Sequence, residues 1–163
     1  SFEMIALQQP VTTDLRMIVT VMKASSDLER MGDHAVSIAK STIRVKGETR
    51  VPEIEAEIAQ MAQAVKAMVT EVLDAYVKED AVRARQVATQ DHGINDFSKH
   101  IYEACIERMR EDSETIVGAM DYMLVSSYLE RIGDYVTNIC EWILYLRTGK
   151  LLELNSNASE DGF

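Results

Sequence analysis

Helix-breaking residues are scarce in this chain, which has only two prolines and seven glycines in 163 residues. The alternation of β-branched and polar residues that is typical of strands is also lacking. Apolar runs are short and interrupted by charges, which excludes a segment long enough to span a bilayer. Because 47% of the residues are hydrophobic, the chain can still bury one or two small cores. We therefore expect a soluble, all-α globular protein.

Cysteine and positive charge are scarce too. Cys105 and Cys140 are the only cysteines, and two isolated thiols in helical patterns fit a reducing compartment better than a disulfide scaffold. No basic region followed by an apolar run indicates a signal peptide, so we expect a cytoplasmic protein. The net charge of −10 disfavours nucleic acid and anionic membrane surfaces as partners, and it favours divalent cations and basic proteins.

One nine-residue stretch occurs twice. Residues 25–33 and 126–134 are identical at seven of nine positions, at an offset of 101 residues. Such self-similarity indicates a duplicated structural unit. Each copy places Glu and Asp four residues apart, as Glu29 with Asp33 and Glu130 with Asp134. On a helix the two side chains project from one face, where they can share a hard cation such as magnesium or manganese.

Breaks in the helical pattern divide the first part of the chain. Pro10 predicts that residues 1–9 form a separate helix stub, because proline disfavours helical geometry in the residue before it. Thr12 or Thr13 would then cap a second helix that runs to about residue 45. The absence of an initiator Met suggests a fragment.

Later breaks predict three more long helices. Gly47 and Pro52 bound a linker, after which we expect helices over residues 52–77 and 81–109, with Asp80 capping the second. The last helix follows Asp112 and ends at Gly149. Its apolar residues recur at steps of three and four, which is typical of bundle packing. They are Tyr122, Val125, Leu129, Ile132, Val136, Ile139, Ile143 and Leu146.

Short connections make neighbouring helices antiparallel. We therefore predict tandem three-helix-bundle repeats, of which the first is incomplete. Residues 1–46 would be the remainder of the first repeat, as a stub and a long helix, and residues 52–148 would form the second repeat. Residues 149–163 would be a polar, disordered tail.

The surroundings of the carboxylate pairs argue against a merely solvated face. Their flank carries apolar and small side chains where a face meant only for water would be richer in Lys and Glu. Gly32 and Gly133 lie inside helices at a cost of about 1 kcal/mol relative to alanine, which suggests close approach of a neighbour or ligand. Arg30 and Arg131 adjoin the pairs, and an ion pair to a neighbouring helix is the plain alternative for each.

Two carboxylates do not complete a coordination sphere, so a second helix must contribute. Asp91 and Asn95, again four apart, are the best candidates for the second copy. Glu141, one heptad beyond Asp134, could join them. The equivalent position in the first copy is Lys40, so the two sites need not be alike.

Other functions fit less well. A carboxylate-bridged di-metal enzyme would want Glu-x-x-His motifs inside a four-helix core, and His34 follows Asp33 in one copy only. His34 on an exposed helix also allows a histidine phosphotransfer module, although a lone surface histidine usually has no such role. A helical scaffold or adaptor without metal is the main rival reading. No phosphate-cradling glycine loop and no nucleophile with a recognisable base is present, so we do not expect an enzyme.

The paired Leu-Glu-Arg-x-Gly-Asp motifs are specific enough to suggest a family. Together with residues 6–11 (Ala-Leu-Gln-Gln-Pro-Val) and residues 138–141 (Asn-Ile-Cys-Glu), they resemble the PhoU family of phosphate-uptake regulators. The resemblance covers residues 1 to about 150. It implies tandem three-helix repeats, of which this chain would lack the first helix and most of the second.

The resemblance also implies a site and a function. Family members bind multinuclear iron or zinc clusters through the paired motifs, which correspond here to Glu29 with Asp33 and to Glu130 with Asp134. The family's companion aspartate pair corresponds to Asp91 and to position 95, where this chain has Asn95. The implied function is cytoplasmic negative regulation that links the ATPase subunit of the phosphate ABC transporter to the sensor kinase of the phosphate regulon, and so serves phosphate homeostasis.

The helix over residues 12–45 has an apolar seam that nothing in its own half can cover. Burying one Leu or Met side chain contributes about 1.5–3 kcal/mol, so several exposed together are adhesive. We expect either a homodimer or docking of this helix on the second bundle.

Overall fold

The computed structural model describes the backbone of residues 2–155 and the side chains of residues 11–155. These residues form five α-helices and one 3₁₀ turn, Ser113–Thr115, and no strand occurs among them. The predicted all-α class is confirmed. The helices are α1 (Phe2–Arg44), α2 (Pro52–Lys78), α3 (Ala81–Thr89), α4 (Asp91–Glu111) and α5 (Ile116–Thr148).

Helix α1 differs from the sequence-based prediction, because it continues through Pro10 without a break. The predicted stub over residues 1–9 and the cap at Thr12 or Thr13 are therefore wrong. A proline inside a helix removes its own N–H from the hydrogen bonds and its ring clashes with the carbonyl four residues earlier, yet the residues on both sides of Pro10 are helical. One long helix results where we expected two.

The predicted helix over residues 81–109 is divided in the structure. α3 ends at Thr89 and α4 begins at Asp91, with Gln90 between them. The Gln90 side chain donates a hydrogen bond of 2.7 Å to Glu71 on α2, so tertiary contact helps to hold the junction. Asp91 is the first residue of the new helix, and its side chain lies against Gly133 of α5.

Several predicted helix ends are confirmed. Asp80 caps α3 by accepting a hydrogen bond from the Arg83 N–H at 3.0 Å, and Pro52 is the first residue of α2. The chain leaves α5 at Gly149, whose φ of 73° is in the left-handed region that favours glycine.

Helix α1 packs antiparallel along α5, and α2, α3 and α4 cover other faces of α5. Ser41 of α1 donates a hydrogen bond to Asp121 near the start of α5, whereas Lys23 lies over the Trp142 ring near its end. Of the two expected outcomes for the exposed seam, docking on the second bundle is therefore observed. The buried side chains of α1 and of the other helices form one continuous core, and the division of the chain into two repeats stays a prediction.

The predicted seam of α5 is buried along its length, with Val125 half-buried. The segment after α5 is irregular from residue 150 to residue 155 and partly packs on the bundle, since Leu154 contacts the core. The predicted disorder of the tail otherwise concerns residues 156–163, which lie outside the described residues. Within the part of the chain that is described, no helix combines the length and apolar content needed to cross a bilayer.

Candidate carboxylate site

The two motif copies lie side by side, because α1 packs antiparallel along α5. The imidazole of His34 stacks between Tyr128 and Tyr135, with ring centroids 5.5 and 5.6 Å away. The guanidinium of Arg30 lies 6.0 Å from the centre of the Tyr135 ring. Aromatic and cation–π contacts of this kind contribute about 0.5–1.5 kcal/mol each. They place Arg30 and His34 in the interface with α5 and leave Glu29 and Asp33 exposed.

Asp91 lies at the centre of the second copy's site. It is the first residue of α4, its side chain is only 5% exposed, and its carboxyl is hydrogen-bonded to that of Asp134. Glu130 is close enough for its charge to act on both aspartates. The structure thus brings together three of the predicted ligands, Asp91, Glu130 and Asp134.

Gly133 explains how Asp91 can approach so closely. A Cβ atom at this position would lie 2.7 Å from Asp91 Oδ1 and 3.5 Å from Ile94 Cγ2. The predicted close approach of a neighbour to this glycine is therefore confirmed. At Gly32, the equivalent position in the first copy, an added Cβ would meet no described atom within 4 Å, so no described neighbour explains this glycine, and the close approach of a ligand there stays a prediction.

Burial and like charge favour a shared proton in this cluster. Desolvation, the Asp134 and Glu130 charges and the hydrogen bond with Asp134 together raise the pKa of Asp91 to about 7. Asp134 is exposed on its outer side, yet desolvation where it meets the protein raises its pKa, against the effect of the hydrogen bond with Asp91, and the Glu130 charge raises it further. Two carboxyls in contact cannot both ionise easily. The pair therefore holds one proton up to near-neutral pH when no cation is bound.

The cluster has donor atoms of the kind that bind cations, but they are not arranged as a coordination site. Asp91 Oδ1 is buried, and no N–H or O–H group among the described residues donates to it. Carboxylate oxygens are the ligands that hard cations prefer. Across residues 11–155, however, no three His, Cys, Asp or Glu side chains are arranged so that they could hold a metal ion. The donor set fits a metal, but it is not assembled around one point.

Asn95 lies at the edge of this cluster. Its side chain is exposed and lines, together with Glu130 and Tyr102, an open cavity of about 300 Å³. Asn95 and Glu130 therefore face the same space, as expected from the four-residue spacing of Asp91 and Asn95.

The first copy offers no comparable cluster among the described residues. Glu29 and Asp33 are exposed, and no described helix covers their face. Arg30 forms an ion pair of 3.6 Å with Asp27 on its own helix, so the alternative of an ion pair to a neighbouring helix is wrong for Arg30.

Two acidic residues have roles that the sequence did not reveal. Asp27 is buried in the interface between α1 and α5, and this burial raises its pKa although the Arg30 and Lys23 charges and a hydrogen bond with Asn138 act in the opposite direction. The only sequence signal was the difference between the motif copies, with Asp27 where the second has Tyr128. Glu141, which could have joined the metal ligands, instead accepts a hydrogen bond of 3.0 Å from the Leu154 N–H.

Comparison with known proteins identifies the family. The model of the PhoU domain matches residues 1–42 and 58–143, a range that includes both motif copies. The chain belongs to the PhoU domain family. It is 42% identical over 93% of its length to a phosphate-specific transport system accessory protein PhoU homolog of Clostridium acetobutylicum, covering 69% of that protein. A homolog of the same name from Streptococcus pneumoniae is 36% identical, with 93% of this chain and 70% of the relative covered.

Solved structures of PhoU proteins agree with the fold. The crystal structure of the phosphate transport system regulatory protein PhoU from Streptococcus pneumoniae superimposes with a TM-score of 0.82 at 34% identity, over 87% of this chain and 67% of that one. PhoU from Pseudomonas aeruginosa gives a TM-score of 0.80 at 33% identity, over 91% and 71% of the two chains. The names of these relatives describe regulatory or accessory proteins and not enzymes. The resemblance suggested by the motifs is thus confirmed, whereas the metal ligands and the metal itself stay predictions.

Proposed function

We propose that this PhoU-family chain is a cytoplasmic accessory protein of a phosphate-specific transport system, and that it regulates by binding other proteins. The observation that carries the proposal is the 42% identity over 93% of the chain to an accessory protein of such a system. The printed names of the relatives, which describe accessory and regulatory proteins, support a regulatory role over catalysis.

The proposed partners are the ATPase subunit of the phosphate transporter and the sensor kinase of the phosphate regulon, with negative regulation of the regulon as the outcome. The net charge of −10 and the exposed carboxylates of Glu29, Asp33 and Asp134 support a basic surface on the partner. Electrostatic attraction of this kind speeds association and weakens as salt rises.

We further propose that a metal ion takes the place of the shared proton in the second copy's site. Asp91, Glu130 and Asp134 would hold it, with Asn95 at the edge, and the ion would neutralise the charge of the three carboxylates. The buried, unpaired Asp91 Oδ1 supports this assignment, as does the proton affinity of Asp91 near pH 7. Iron or zinc, including a multinuclear cluster, is the first choice, and magnesium or manganese are alternatives.

Elemental analysis and partner capture test the two proposals together. Glu130→Ala with Asp134→Ala should remove most bound metal and weaken capture of the ATPase or the kinase at low salt. Glu29→Ala with Asp33→Ala is the matched control, since it removes two carboxylates of the same motif and should release little metal. Equal metal loss from both variants would refute the assignment to the second copy. Capture that neither variant nor added salt changes would place the partner surface elsewhere.

A scaffold that works without metal is the second candidate. It is favoured by the lack of an assembled group of three ligands in the described part of the chain. Chelation distinguishes the two candidates, because a metal-free scaffold should capture its partner equally well before and after EDTA treatment. Loss of capture after EDTA, with recovery on adding zinc or iron, would exclude it.

We also propose that the chain forms a homodimer through the outer face of α1. Large apolar side chains are exposed along this face, among them Leu15, Ile18 and Met22. Such a row is rarely left in water by a monomer.

A further inference from the structure

The segment that follows α5 returns to the bundle and binds at two points. After Gly149 the chain turns back, and the Leu154 N–H donates a hydrogen bond of 3.0 Å to Glu141 Oε1 on α5. One residue later, the side-chain amide of Asn155 donates a hydrogen bond to the carbonyl oxygen of Ala88. Leu154 is half-buried against the core between these two bonds.

Ala88 is where this segment meets the site. Its carbonyl lies in the last turn of α3, where no further turn of α3 follows to bond it and the N–H of the C-cap residue Gln90 is its neighbour. Asn155 supplies a donor to that carbonyl. Three residues after Ala88, and across the Gln90 junction, Asp91 begins α4 and packs against Gly133. The position of Asp91 therefore depends on how the end of α3 is held.

Asn155 suits this contact. Its φ of 60° is in the left-handed region, which asparagine adopts more readily than most residues other than glycine. Glu141, which accepts the hydrogen bond from Leu154, is half-buried and lies one heptad along α5 from Asp134, so it connects the segment to the helix that carries the site. The equivalent residue after the first motif copy is Lys40, which cannot accept a hydrogen bond. Only the second copy has this arrangement.

We propose that residues 150–155 form a strap that fixes the junction between α3 and α4 and thereby keeps Asp91 against α5. Asn155 and Glu141 are positioning residues for Asp91, and release of the strap loosens the carboxylate cluster. The strap acts on Asp91 whether the cluster holds a proton or a cation. Failure of its test is therefore distinguishable from failure of the proposed function.

The two cysteines provide a local and a reference probe for strap release. Cys140 is buried beside Glu141, and its thiol lies against the backbone of Ala88. Cys105 is equally buried on α4, far along the chain from the strap. A buried thiol reacts only when its surroundings open. The rate at Cys140 therefore reports opening near the strap, while Cys105 reports opening elsewhere.

The experiment measures labelling of both thiols by a disulfide reagent under native conditions, with each site quantified by mass spectrometry. Loss of one hydrogen bond in Asn155→Ala or Glu141→Ala should accelerate labelling of Cys140 about three- to tenfold and leave Cys105 within twofold. Glu141→Gln keeps an oxygen acceptor for the Leu154 N–H and should restore slow labelling. Leu151→Ala, which changes an exposed side chain of the same segment, is the matched control.

A second readout tests the effect on Asp91 directly. The ¹³C signal of the Asp91 carboxyl should shift in Asn155→Ala and stay unchanged in Leu151→Ala, with EDTA present and pH held constant. Equal acceleration at both cysteines would mean general destabilisation and would overturn the strap. Unchanged labelling of Cys140, or an Asp91 signal that does not move, would overturn it as well.

Discussion

Gly32 and Gly133 occupy the same position in the two motif copies but have different surroundings. The space at Gly133 is filled by Asp91, whereas the described residues leave the space at Gly32 open. A glycine inside a helix costs about 1 kcal/mol relative to alanine, and only at Gly133 does a close approach in the structure explain that cost.

Alanine substitutions at the two glycines should therefore act in opposite directions. Gly32→Ala should stabilise the chain by up to about 1 kcal/mol through helix propensity. Gly133→Ala should destabilise it by about 1–2 kcal/mol, because Asp91 must move away from a Cβ atom at 2.7 Å. Urea unfolding of both variants measures the difference. Equal effects would contradict the contact between Gly133 and Asp91.

The proton held by Asp91 predicts a pH dependence of stability. The folded pKa of Asp91 is raised to about 7 from an ordinary value of 3.8, so between these values the folded state binds more protons than the unfolded state. The free energy of unfolding should then fall as pH rises from about 4 to 7, by up to about 4 kcal/mol, and change little above that range.

Asp91→Asn should flatten this pH profile and raise stability at pH 7, since an amide needs no proton. Unfolding in the presence of EDTA at several pH values measures it. Asp96→Asn, on the exposed face of the same helix, is the control and should keep the slope. An unchanged slope in Asp91→Asn would show that other groups cause the pH dependence.

At the scale of elements, α1 depends on a single neighbour among the described helices, since it packs on α5 alone. Met31 is 6% exposed in that interface, whereas Met22, nine residues earlier on the same helix, is 66% exposed. The two methionines therefore separate the contribution of docking from that of helix propensity.

Met31→Ala should cost about 2–4 kcal/mol because it leaves a cavity between α1 and α5. Met22→Ala should cost less than about 0.5 kcal/mol. Chemical unfolding measures both values, and hydrogen exchange of α1 amides should quicken in the Met31 variant only. Similar costs for the two variants would mean that α1 does not dock as described.

Several helix ends lie where capping residues, proline or glycine in the sequence predict them. Asp80, Pro52 and Gly149 mark helix ends as predicted, because caps and left-handed turns act within a few residues. Pro10 and Gln90 show the limit of such signals. Pro10 is accommodated inside a long helix. Gln90 lies at a break that no strong local signal predicts and that a contact with α2 helps to hold.

For the whole molecule, the exposed apolar face of α1 predicts self-association. Light scattering of the parent chain at micromolar concentration should give the mass of a dimer. Ile18→Lys and Met22→Lys should give monomers, because a buried, unpaired ammonium group is costly. Val82→Lys, at an equally exposed apolar site on α3, should leave the dimer intact. A monomeric parent would refute the proposal, and so would a dimer that resists both substitutions.

The sequence by itself determined the all-α class, the duplicated motif, the family and the apolar seam of α5. These features rest on helical periodicity and on residue identity, which are local and repeat along the chain. The sequence also singled out Asp91, Glu130 and Asp134, because spacing by four residues places side chains on one helical face.

Only the tertiary structure decided how the two motif copies differ. They are nearly identical in sequence, yet α4 covers Gly133 and brings Asp91 beside Asp134, whereas no described helix covers Gly32. The same applies to Glu141, which lies one heptad from Asp134 but bonds to the segment after α5. Such differences depend on which distant residue packs against a side chain, and burial by that residue sets the pKa of a carboxyl. Periodicity along one helix carries no information about either.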